Sequence, residues 1–460
     1  MIHWSEDTIA AIATAQGIGA IGIIRLSGPK AILTVDKIFK GKKLSEQAAN
    51  TIHFGKIMDK DKVIDEVLVS LFRKPHSYTG EDVLEISAHG SPYVLKTIIE
   101  LLIENGIRPA KPGEFTLRAF LNKKLDLSQA EAVADLILSE NHASHQLAIK
   151  QLKGGIKNEI QQLRDRLVEF TALIELELDF SEEDVEFANR HKLKLLINDI
   201  VGKIRELKNS FTLGNAIHSG VNTVIAGRPN AGKSTLLNVL VGEERAIVSE
   251  IAGTTRDTIE ERLYIQGLLF RVIDTAGIRE ATDQIEALGV ARTMAKIEES
   301  SILIYVFDVT ELSPEQVSDD LSKLHRDHQQ IILVPNKMDQ NPYIDYHTFE
   351  NEFVKADKII PCSAINKMNI DYLKSVLYET VMGNYSLQDQ NIITNARHYD
   401  ALANSEKSLL QLIHGIDQHI QTDFLAQELR NSLYFLGAIS GEITNDEILG
   451  NIFGKFCIGK

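Results

Sequence analysis

The sequence predicts a multidomain fold of the α/β and α classes, with an N-terminal α+β domain followed by a helical domain that carries an inserted α/β domain. The chain has 460 residues, and because domains usually hold about 100–200 residues, about three domains are expected. Its hydrophobic pattern changes from short apolar runs to long helical periods, then to alternating strands and helices, and finally back to helices. These three changes of pattern mark the domains.

The composition narrows the class of protein. Hydrophobic residues make up 44% of the chain, which is typical of a globular protein. The net charge of −15 disfavours tight, unaided binding to nucleic acid. Two cysteines, Cys362 and Cys457, are too few for a disulfide framework and indicate a reducing compartment, the cytoplasm. Glycines interrupt the uncharged stretch 8–24, which we interpret as a buried strand with a glycine loop rather than a membrane segment.

The first 120 residues combine short strands with turns and helices. Apolar runs at 21–26, 67–72 and 83–87 predict strands, and residues 93–104 predict a helix. A capping box of Ser128 and Glu131 then predicts the start of a helical domain. Apolar residues three or four positions apart predict one long helix face there: Leu152, Ile156, Ile160, Leu163, Leu167, Phe170, Ile174 and Leu178.

Helical periodicity returns near the C-terminus. Thr444 and Glu447 predict the capping box of a last helix. Another helical segment is predicted before it, over 424–436. One apolar face is predicted before it: Leu402, Leu409, Leu412, Ile413, Ile416 and Ile420. Because neither helical block buries its face well alone, both are predicted to form one domain interrupted by the α/β domain. The predicted boundaries are 1–122 for the N-terminal domain, 123–220 and 381–460 for the two helical parts, and 221–380 for the inserted domain.

A phosphate-binding loop is predicted at the start of the inserted domain. Residues 227–235 read GRPNAGKST and lie between an apolar strand over 221–226 and a helix beginning near Leu236. In such a P-loop the backbone N–H groups surround phosphates, Lys233 neutralises the β and γ oxygens, and Ser234 offers its hydroxyl to Mg²⁺. A chance match in a glycine-containing turn is the alternative, and the motifs that follow argue against it.

Further motifs in the expected order predict a Ras-like G domain. DTAG at 274–277 follows a strand, where Asp274 would reach the metal shell and Gly277 would sense the γ-phosphate. Thr255, in the segment GTTRD, is the predicted Mg²⁺ ligand of switch I. NKMD at 336–339 provides Asp339, whose carboxylate can accept from two guanine donors that adenine lacks. The base is therefore predicted to be guanine.

The complete predicted GTP site extends over five segments. The last of them, the loop after a strand predicted at 359–361, is predicted to line the base. The members of the site are Asn230, Ala231, Gly232, Lys233, Ser234, Thr235, Ser249, Glu250, Ile251, Ala252, Gly253, Thr254, Thr255, Asp274, Thr275, Ala276, Gly277, Asn336, Lys337, Asp339, Ser363 and Ala364.

The hydrolytic machinery departs from that of Ras. The position after Gly277 is Ile278, which cannot orient water as the usual Gln does, and no arginine finger can be assigned. Another polar residue and another positive charge must take these roles. Asn230 and Glu286 are the candidates for these roles. The alternative interpretation is that Asn230 is an ordinary amide in a loop and Glu286 an ordinary solvated carboxylate on a helix.

Six segments carry a resemblance to a known family. They are GRPNAGKSTLLN (227–238), AIVSEIAGTTRD (246–257), DTAGIRE (274–280), GEDVLEISAHG (80–90), RPAKPGEFTLRAFLNKKLDLSQAEAVADLI (108–137) and the terminal FCIGK (456–460). Across essentially its whole length the chain resembles the MnmE (TrmE) family of tRNA-modification GTPases. The last three segments lie outside any generic GTPase and separate this family from other P-loop proteins.

The resemblance implies a potassium-activated GTPase that dimerises. The family's K⁺ ligands fall on Asn230, Ser249, Ile251 and Thr254, so that K⁺ takes the place of an arginine finger. Its Mg²⁺ ligands fall on Ser234 and Thr255. The water-positioning carboxylate falls on Glu286, which makes Glu286 the predicted catalytic residue.

The resemblance also implies a site for 5-formyl-tetrahydrofolate, or a related tetrahydrofolate, in the N-terminal domain that forms the constitutive homodimer. Its contacts fall on Arg25, Glu85, Lys124 and Lys460. Cations suit the folate carboxylates, and Glu85 can accept from the pterin donors. Cys457 is predicted to line this site and is a second candidate catalytic residue. The family loop resembling PPGRGG reads AQGIGA here, over 15–20, so a role for its Pro pair and Arg does not carry over.

The function implied by the resemblance is modification of the wobble uridine, position 34, of certain tRNAs. The chain would add an aminomethyl or carboxymethylaminomethyl group at C5, using a tetrahydrofolate one-carbon unit, together with FAD-dependent MnmG (GidA) in a heterotetramer or larger complex. No membrane partner is predicted. The alternative is a regulatory GTPase switch in ribosome assembly, which does not predict folate binding and would need an RNA module such as a KH loop.

Overall fold

The computed structural model describes residues 7–179, 189–242, 260–274, 296–383, 385, 391–444 and 446–460. The chain divides into two compact units by its contacts. One unit contains residues 1–137, 150–201 and 401–460, and the other contains residues 138–149 and 202–400. Residues 150–201 and 401–460, the larger parts of the helical blocks on either side of the α/β region, thus share one unit, which agrees with the predicted insertion. The four predicted domain boundaries stay a prediction.

The first unit contains a seven-stranded sheet in the order β3-β4-β5-β6-β2-β1-β7. All neighbouring strands are antiparallel except β1 and β7. Ile24 and Leu26 are buried, so the alternation of a strand directs Arg25, between them, to the opposite face. The strands are β1 (Ile9–Ile12), β2 (Ile21–Ser27), β3 (Phe39–Lys40), β4 (Thr51–Asp59), β5 (Lys62–Phe72), β6 (Val83–His89) and β7 (Arg108–Pro109).

Helices pack on the apolar side of this sheet. Pro92 opens α2, where its missing N–H costs no helical hydrogen bond, and Leu95, Ile98 and Leu102 bury one face of it in the core. The predicted strands and this predicted helix are therefore confirmed. The helices near the sheet in sequence are α1 (Ala31–Ile38), α2 (Pro92–Glu104), α3 (Glu114–Leu121) and α4 (Leu127–Leu138).

The capping box predicted for α4 was wrong by two residues. The Asp126 carboxylate accepts from the N–H of Gln129 at 2.8 Å, and the Gln129 side chain accepts from the N–H of Asp126 at 3.0 Å. Ser128 lies inside the helix and its hydroxyl donates to Asp126 at 2.7 Å. Asp-x-x-Gln and Ser-x-x-Glu overlap in the sequence, and only the backbone geometry decides which residue caps.

The predicted long helical face is split in two. Gly154 adopts a φ of 90°, a left-handed conformation that ends a helix, so Leu152 belongs to α5 and not to α6. Ile420 likewise lies beyond the end of its predicted helix at Asp417. The helices are α5 (His142–Leu152), α6 (Gly155–Asp179), α7 (Arg190–Ser219), α8 (Lys233–Gly242), α9 (Pro314–Leu324), α10 (Ile370–Met382), α11 (Ala396–Asp417), α12 (Thr422–Ser440) and α13 (Asp446–Phe453).

Contacts between helices distant in sequence hold the helical part of the first unit together. Helix α6 packs against α12, and Arg430 on α12 donates to Glu175 on α6 at 2.8 Å, a separation of 255 positions. Such long-range packing is what the insertion prediction required. The capping box predicted at Thr444 and Glu447 depends on the side chain of Glu447, which lies outside the part of the chain that the structure describes.

The second unit contains a five-stranded sheet in the order β12-β11-β8-β10-β9. Four strands are parallel, and only β9 runs antiparallel to its neighbour β10. Ligands of such sheets bind at the carboxyl ends of the parallel strands. The strands are β8 (Val221–Ala226), β9 (Glu260–Ile265), β10 (Leu268–Asp274), β11 (Ile302–Asp308) and β12 (Gln330–Asn336). Within the described ranges, no helix is long and apolar enough to cross a membrane.

Candidate functional site

The P-loop follows the central strand β8 and opens helix α8, as predicted. Gly227 has a φ of 148°, and a Cβ there would overlap the carbonyl oxygen of Val306 on β11. Gly232 has a φ of 94°, and a Cβ there would overlap the Asn336 amide. Both positions therefore require glycine for conformation and for space. Asn230, at a φ of 63°, is exposed between them.

The side chains that are predicted to bind phosphate begin helix α8. Lys233 Nζ donates to the carbonyl oxygens of Gly227 and Arg228, each at 2.9 Å. Ser234 and Thr235 are exposed on the first turn, where unpaired N–H groups and the helix dipole favour anions. The loop, the lysine and the helix N-terminus thus form one corner of the kind that was predicted to bind phosphate.

The Asn336 amide joins this corner to the loops that are predicted to bind the base. Asn336 is 2% exposed, its Nδ2 donates to the carbonyl of Ala231 at 2.8 Å, and its Oδ1 accepts from the N–H of Ala364 at 3.0 Å. Asp339 accepts from the Ser363 hydroxyl at 2.6 Å, which leaves its carboxylate further lone pairs for guanine. The structure therefore brings these predicted residues together.

The strand predicted before Ser363 was not found. Residues 359–361 form a single bridge to β12, between Leu333 and Ile359. The segment runs alongside β12 through hydrogen bonds from Ile360 N to Leu333 O and from Cys362 N to Pro335 O, both 2.8 Å. Prolines at 335 and 361 lack N–H donors, so a continuous ladder cannot form.

Sequence reasoning missed Asp308, which ends β11. Asp308 is 4% exposed and accepts from Lys337 Nζ at 2.5 Å and from the Thr310 hydroxyl at 2.7 Å. Burial disfavours the charged carboxylate, but these hydrogen bonds outweigh it and hold the pKa of Asp308 below its ordinary value. A carboxylate that ends an apolar parallel strand beside the nucleotide edge was the available signal.

Of the predicted switch residues, Asp274 is among those that the structure describes. Asp274 ends β10, at the carboxyl end of a strand next to β8, as predicted. The other switch residues lie outside the described residues: Ser249, Glu250, Ile251, Ala252, Gly253, Thr254, Thr255, Thr275, Ala276, Gly277 and Glu286. Their roles stay predictions.

Arg25 and Glu85, predicted to contact folate, are directly opposite on β2 and β6. Arg25 donates through Nε to Glu85 Oε1 at 2.9 Å and forms an ion pair through Nη2 at 2.8 Å. The guanidinium also lies 5.5 Å from the ring centre of Tyr78 and 5.8 Å from that of Phe115. Lys124 donates instead to the carbonyl of Pro75 at 3.1 Å.

The C-terminal tail meets the same sheet. Arg25 Nη1 donates to the carbonyl of Gly459 at 3.4 Å across 434 positions of sequence, and the N–H of Gly113 donates to the carbonyl of Cys457 at 3.4 Å. Burial and the nearby positive charge of Arg25 lower the pKa of the Lys460 amine. Two cations therefore lie close together, an arrangement that suits an anionic ligand. Cys457 is exposed.

The two aromatic contacts of Arg25 were not predicted. The Tyr78 hydroxyl lies 2.8 Å from the hydroxyl of Thr116 on α3, and burial raises the pKa of Tyr78. Phe115, also on α3, is fully buried. The available signal was the run EFTLR over 114–118, in which Glu114 and Arg118 pair at helical spacing, 3.3 Å apart.

The mainly parallel sheet, the P-loop and the loops that carry Asn336 and Asp339 define a P-loop GTPase. Two family models match the chain, the MnmE helical domain over residues 127–457 and the GTP-binding protein TrmE N-terminus over residues 8–124. The chain belongs to the MnmE family of tRNA modification GTPases, and it is an enzyme that hydrolyses GTP.

Full-length relatives agree with this assignment. The chain is 51% identical to the tRNA modification GTPase MnmE of Cytophaga hutchinsonii over 99% of its own length and 98% of the relative. It is 49% identical to that of Bacteroides thetaiotaomicron over 99% of its own length and 100% of the relative. Of the solved structures, the FeoB G domain from Methanococcus jannaschii is 24% identical, with a TM-score of 0.26 over 35% of this chain and 97% of that chain, too low to add to the assignment.

Proposed function

We propose that this chain modifies the wobble uridine of certain tRNAs, adding an aminomethyl or carboxymethylaminomethyl group at C5 of uridine 34 from a tetrahydrofolate one-carbon unit. GTP hydrolysis is coupled to that reaction. The observation that carries the proposal is the convergence of Arg25, Glu85 and the Lys460 tail on one sheet. A G domain alone needs no such group of charged residues in another domain. Folate offers the carboxylates that Arg25 and Lys460 would bind and the pterin donors that Glu85 would bind.

Partners complete the proposed system. An FAD-dependent protein, MnmG, would contribute redox chemistry and much of the tRNA affinity, since this chain has a net charge of −15. The proposed homodimer is supported by an apolar face on β4 and β5. Phe54 and Leu68 are opposite each other there and are 64% and 46% exposed, next to Ile52 at 66%. Adjacent exposed apolar side chains favour association.

We further propose that K⁺ assists hydrolysis. Asn230 fits this role because its amide is exposed at the loop tip, where its oxygen can serve as a ligand beside the phosphates. A bound K⁺ would supply the charge that an arginine finger supplies elsewhere. Ser234 would bind Mg²⁺, and Glu286 would orient the attacking water. The other proposed ligands, Ser249, Ile251, Thr254 and Thr255, lie outside the described residues.

Replacing K⁺ with Na⁺ is expected to slow GTP turnover by about tenfold, the effect of roughly 1.4 kcal/mol of transition-state stabilisation. Asn230→Ala should turn over GTP at the same low rate in both salts, because the ligand that distinguishes the ions is gone. Phosphate release measured in K⁺, Na⁺ and choline chlorides at equal ionic strength tests this. Equal rates in K⁺ and Na⁺ for the unchanged protein would contradict the proposal.

Loss of the gene is expected to remove the C5 modification of uridine 34. Mass spectrometry of tRNA nucleosides from cells lacking the gene measures this directly, and expression of the unchanged chain should restore the modified nucleoside. An intact modification in the deleted strain would refute the tRNA proposal. Defective ribosomal subunits in the same strain would then favour the alternative, a switch in ribosome assembly.

A further inference from the structure

A carboxylate outside every predicted motif contacts the P-loop. Asp320, on α9, accepts three hydrogen bonds. Arg228 donates to it through Nε at 2.8 Å and through Nη2 at 3.1 Å, and the Tyr305 hydroxyl donates at 2.5 Å. Arg228 is the second residue of the P-loop, so the loop is tied to a helix 92 positions away. We call Arg228, Asp320 and Tyr305 the P-loop bracket.

Tyr305 anchors the P-loop bracket to the central sheet of the second unit. It is 1% exposed on β11, which pairs with β8 on one side and β12 on the other. Tyr305 pairs with Ala226, the residue directly before the P-loop. Burial and the Asp320 carboxylate raise the pKa of Tyr305 above its ordinary value, so the phenol remains the donor and Asp320 the acceptor.

The main chain of Arg228 connects the P-loop bracket to the phosphate-binding lysine. The Arg228 carbonyl accepts from Lys233 Nζ at 2.9 Å, beside the carbonyl of Gly227 at the same distance. Gly227 lies against the carbonyl oxygen of Val306 on β11, where an added Cβ would overlap. The Arg228 carbonyl also accepts from the N–H of Ala231 at 3.4 Å. The side chain of Arg228 adds a further constraint on the direction in which this carbonyl, and with it the Lys233 amine, can point.

We propose that Asp320 is a positioning residue of the GTP site, which orients Lys233 toward the β and γ phosphates by holding Arg228 in place. A two-pronged Arg–carboxylate pair suits this task because its planar geometry fixes direction as well as distance. An ordinary surface ion pair would have little effect. Here the Arg228 side chain is 44% exposed, but the Asp320 side chain is only 18% exposed, and a buried phenol holds Asp320 from the other side.

Asp320→Asn and Arg228→Gln test the P-loop bracket. Each is expected to lower kcat/KM for GTP by about tenfold or more, since a misplacement of about 1 Å at a reacting group can cost 10²-fold. The double variant should lose no more than the worse single variant, because both changes break the same contact. The preference for GTP over ITP should stay unchanged, since Asn336 and Asp339 are untouched, whereas general damage to the domain would alter it.

Asp319→Asn is the matched control, because this neighbouring carboxylate is exposed on the same helix. It should hydrolyse GTP like the unchanged protein. Tyr305→Phe removes only the hydroxyl and should give a smaller loss in the same direction, which keeps the test valid if another variant fails to fold. Normal kcat/KM in a folded Asp320→Asn protein, or fully additive losses in the double variant, would overturn the proposal.

Discussion

Asp339→Asn is expected to weaken GTP binding by about 10²-fold or more and to make xanthosine triphosphate the preferred nucleotide. The carboxylate can accept from both guanine donors, whereas an amide accepts one and offers an unmatched N–H to the other. Each unmatched buried polar group costs about 1–3 kcal/mol, and every 1.4 kcal/mol is tenfold in affinity. Xanthine carries an oxygen where guanine carries the amino group, so the new amide donor finds an acceptor.

Competition binding of GTP, xanthosine triphosphate and ATP to the two proteins measures this change. The hydroxyl of Ser363, which now donates to Asp339 at 2.6 Å, can donate equally to an amide oxygen, so the loop should keep its shape. Asp357→Asn is the matched control, an exposed carboxylate on the same unit, and should bind GTP normally. Tight ATP binding by the unchanged protein would contradict the assignment of guanine.

Removal of residues 457–460 is expected to lower the affinity for 5-formyl-tetrahydrofolate by about 10- to 100-fold. The loss combines a charge-assisted hydrogen bond from Lys460, about 1.5–3 kcal/mol when well desolvated, with the carbonyl of Gly459 that holds Arg25. Phe456 is kept because it packs against Phe453, with ring centres 5.5 Å apart. GTP turnover should remain, since the P-loop belongs to the other unit, residues 138–149 and 202–400.

Calorimetry of folate binding and phosphate release from GTP, measured on the same preparation, separate the two sites. Lys460→Ala should reproduce part of the loss in folate affinity, and Lys455→Ala, an exposed lysine before the tail, should have no effect. An unchanged folate affinity in the shortened chain would remove Lys460 and Cys457 from the proposed site. A parallel loss of GTP turnover would show instead that the tail supports the whole protein.

The sequence alone determined the GTP site most fully, because that site is built from short contiguous motifs. A P-loop requires glycines, a lysine and a hydroxyl within nine residues, and a strand must precede it and a helix must follow. The structure confirms this order of strand, loop and helix, and it adds the hydrogen bonds of Asn336 to Ala231 and Ala364, which the sequence did not predict. Local rules were weaker where two signals competed, as at α4, where Asp126 and not Ser128 caps the helix.

Only the tertiary structure decided which distant side chains support the motifs. The bond from Arg228 to Asp320 joins residues 92 positions apart, that from Lys337 to Asp308 joins residues 29 apart, and Arg25 meets Gly459 across 434 positions. No periodicity or spacing rule reaches that far, because such pairs depend on which strands are neighbours in a sheet. From the sequence alone, a lone aspartate on a surface helix is interpreted as solvated. The role proposed for Asp320 can be inferred only because the fold brings Arg228 and the buried phenol of Tyr305 to it.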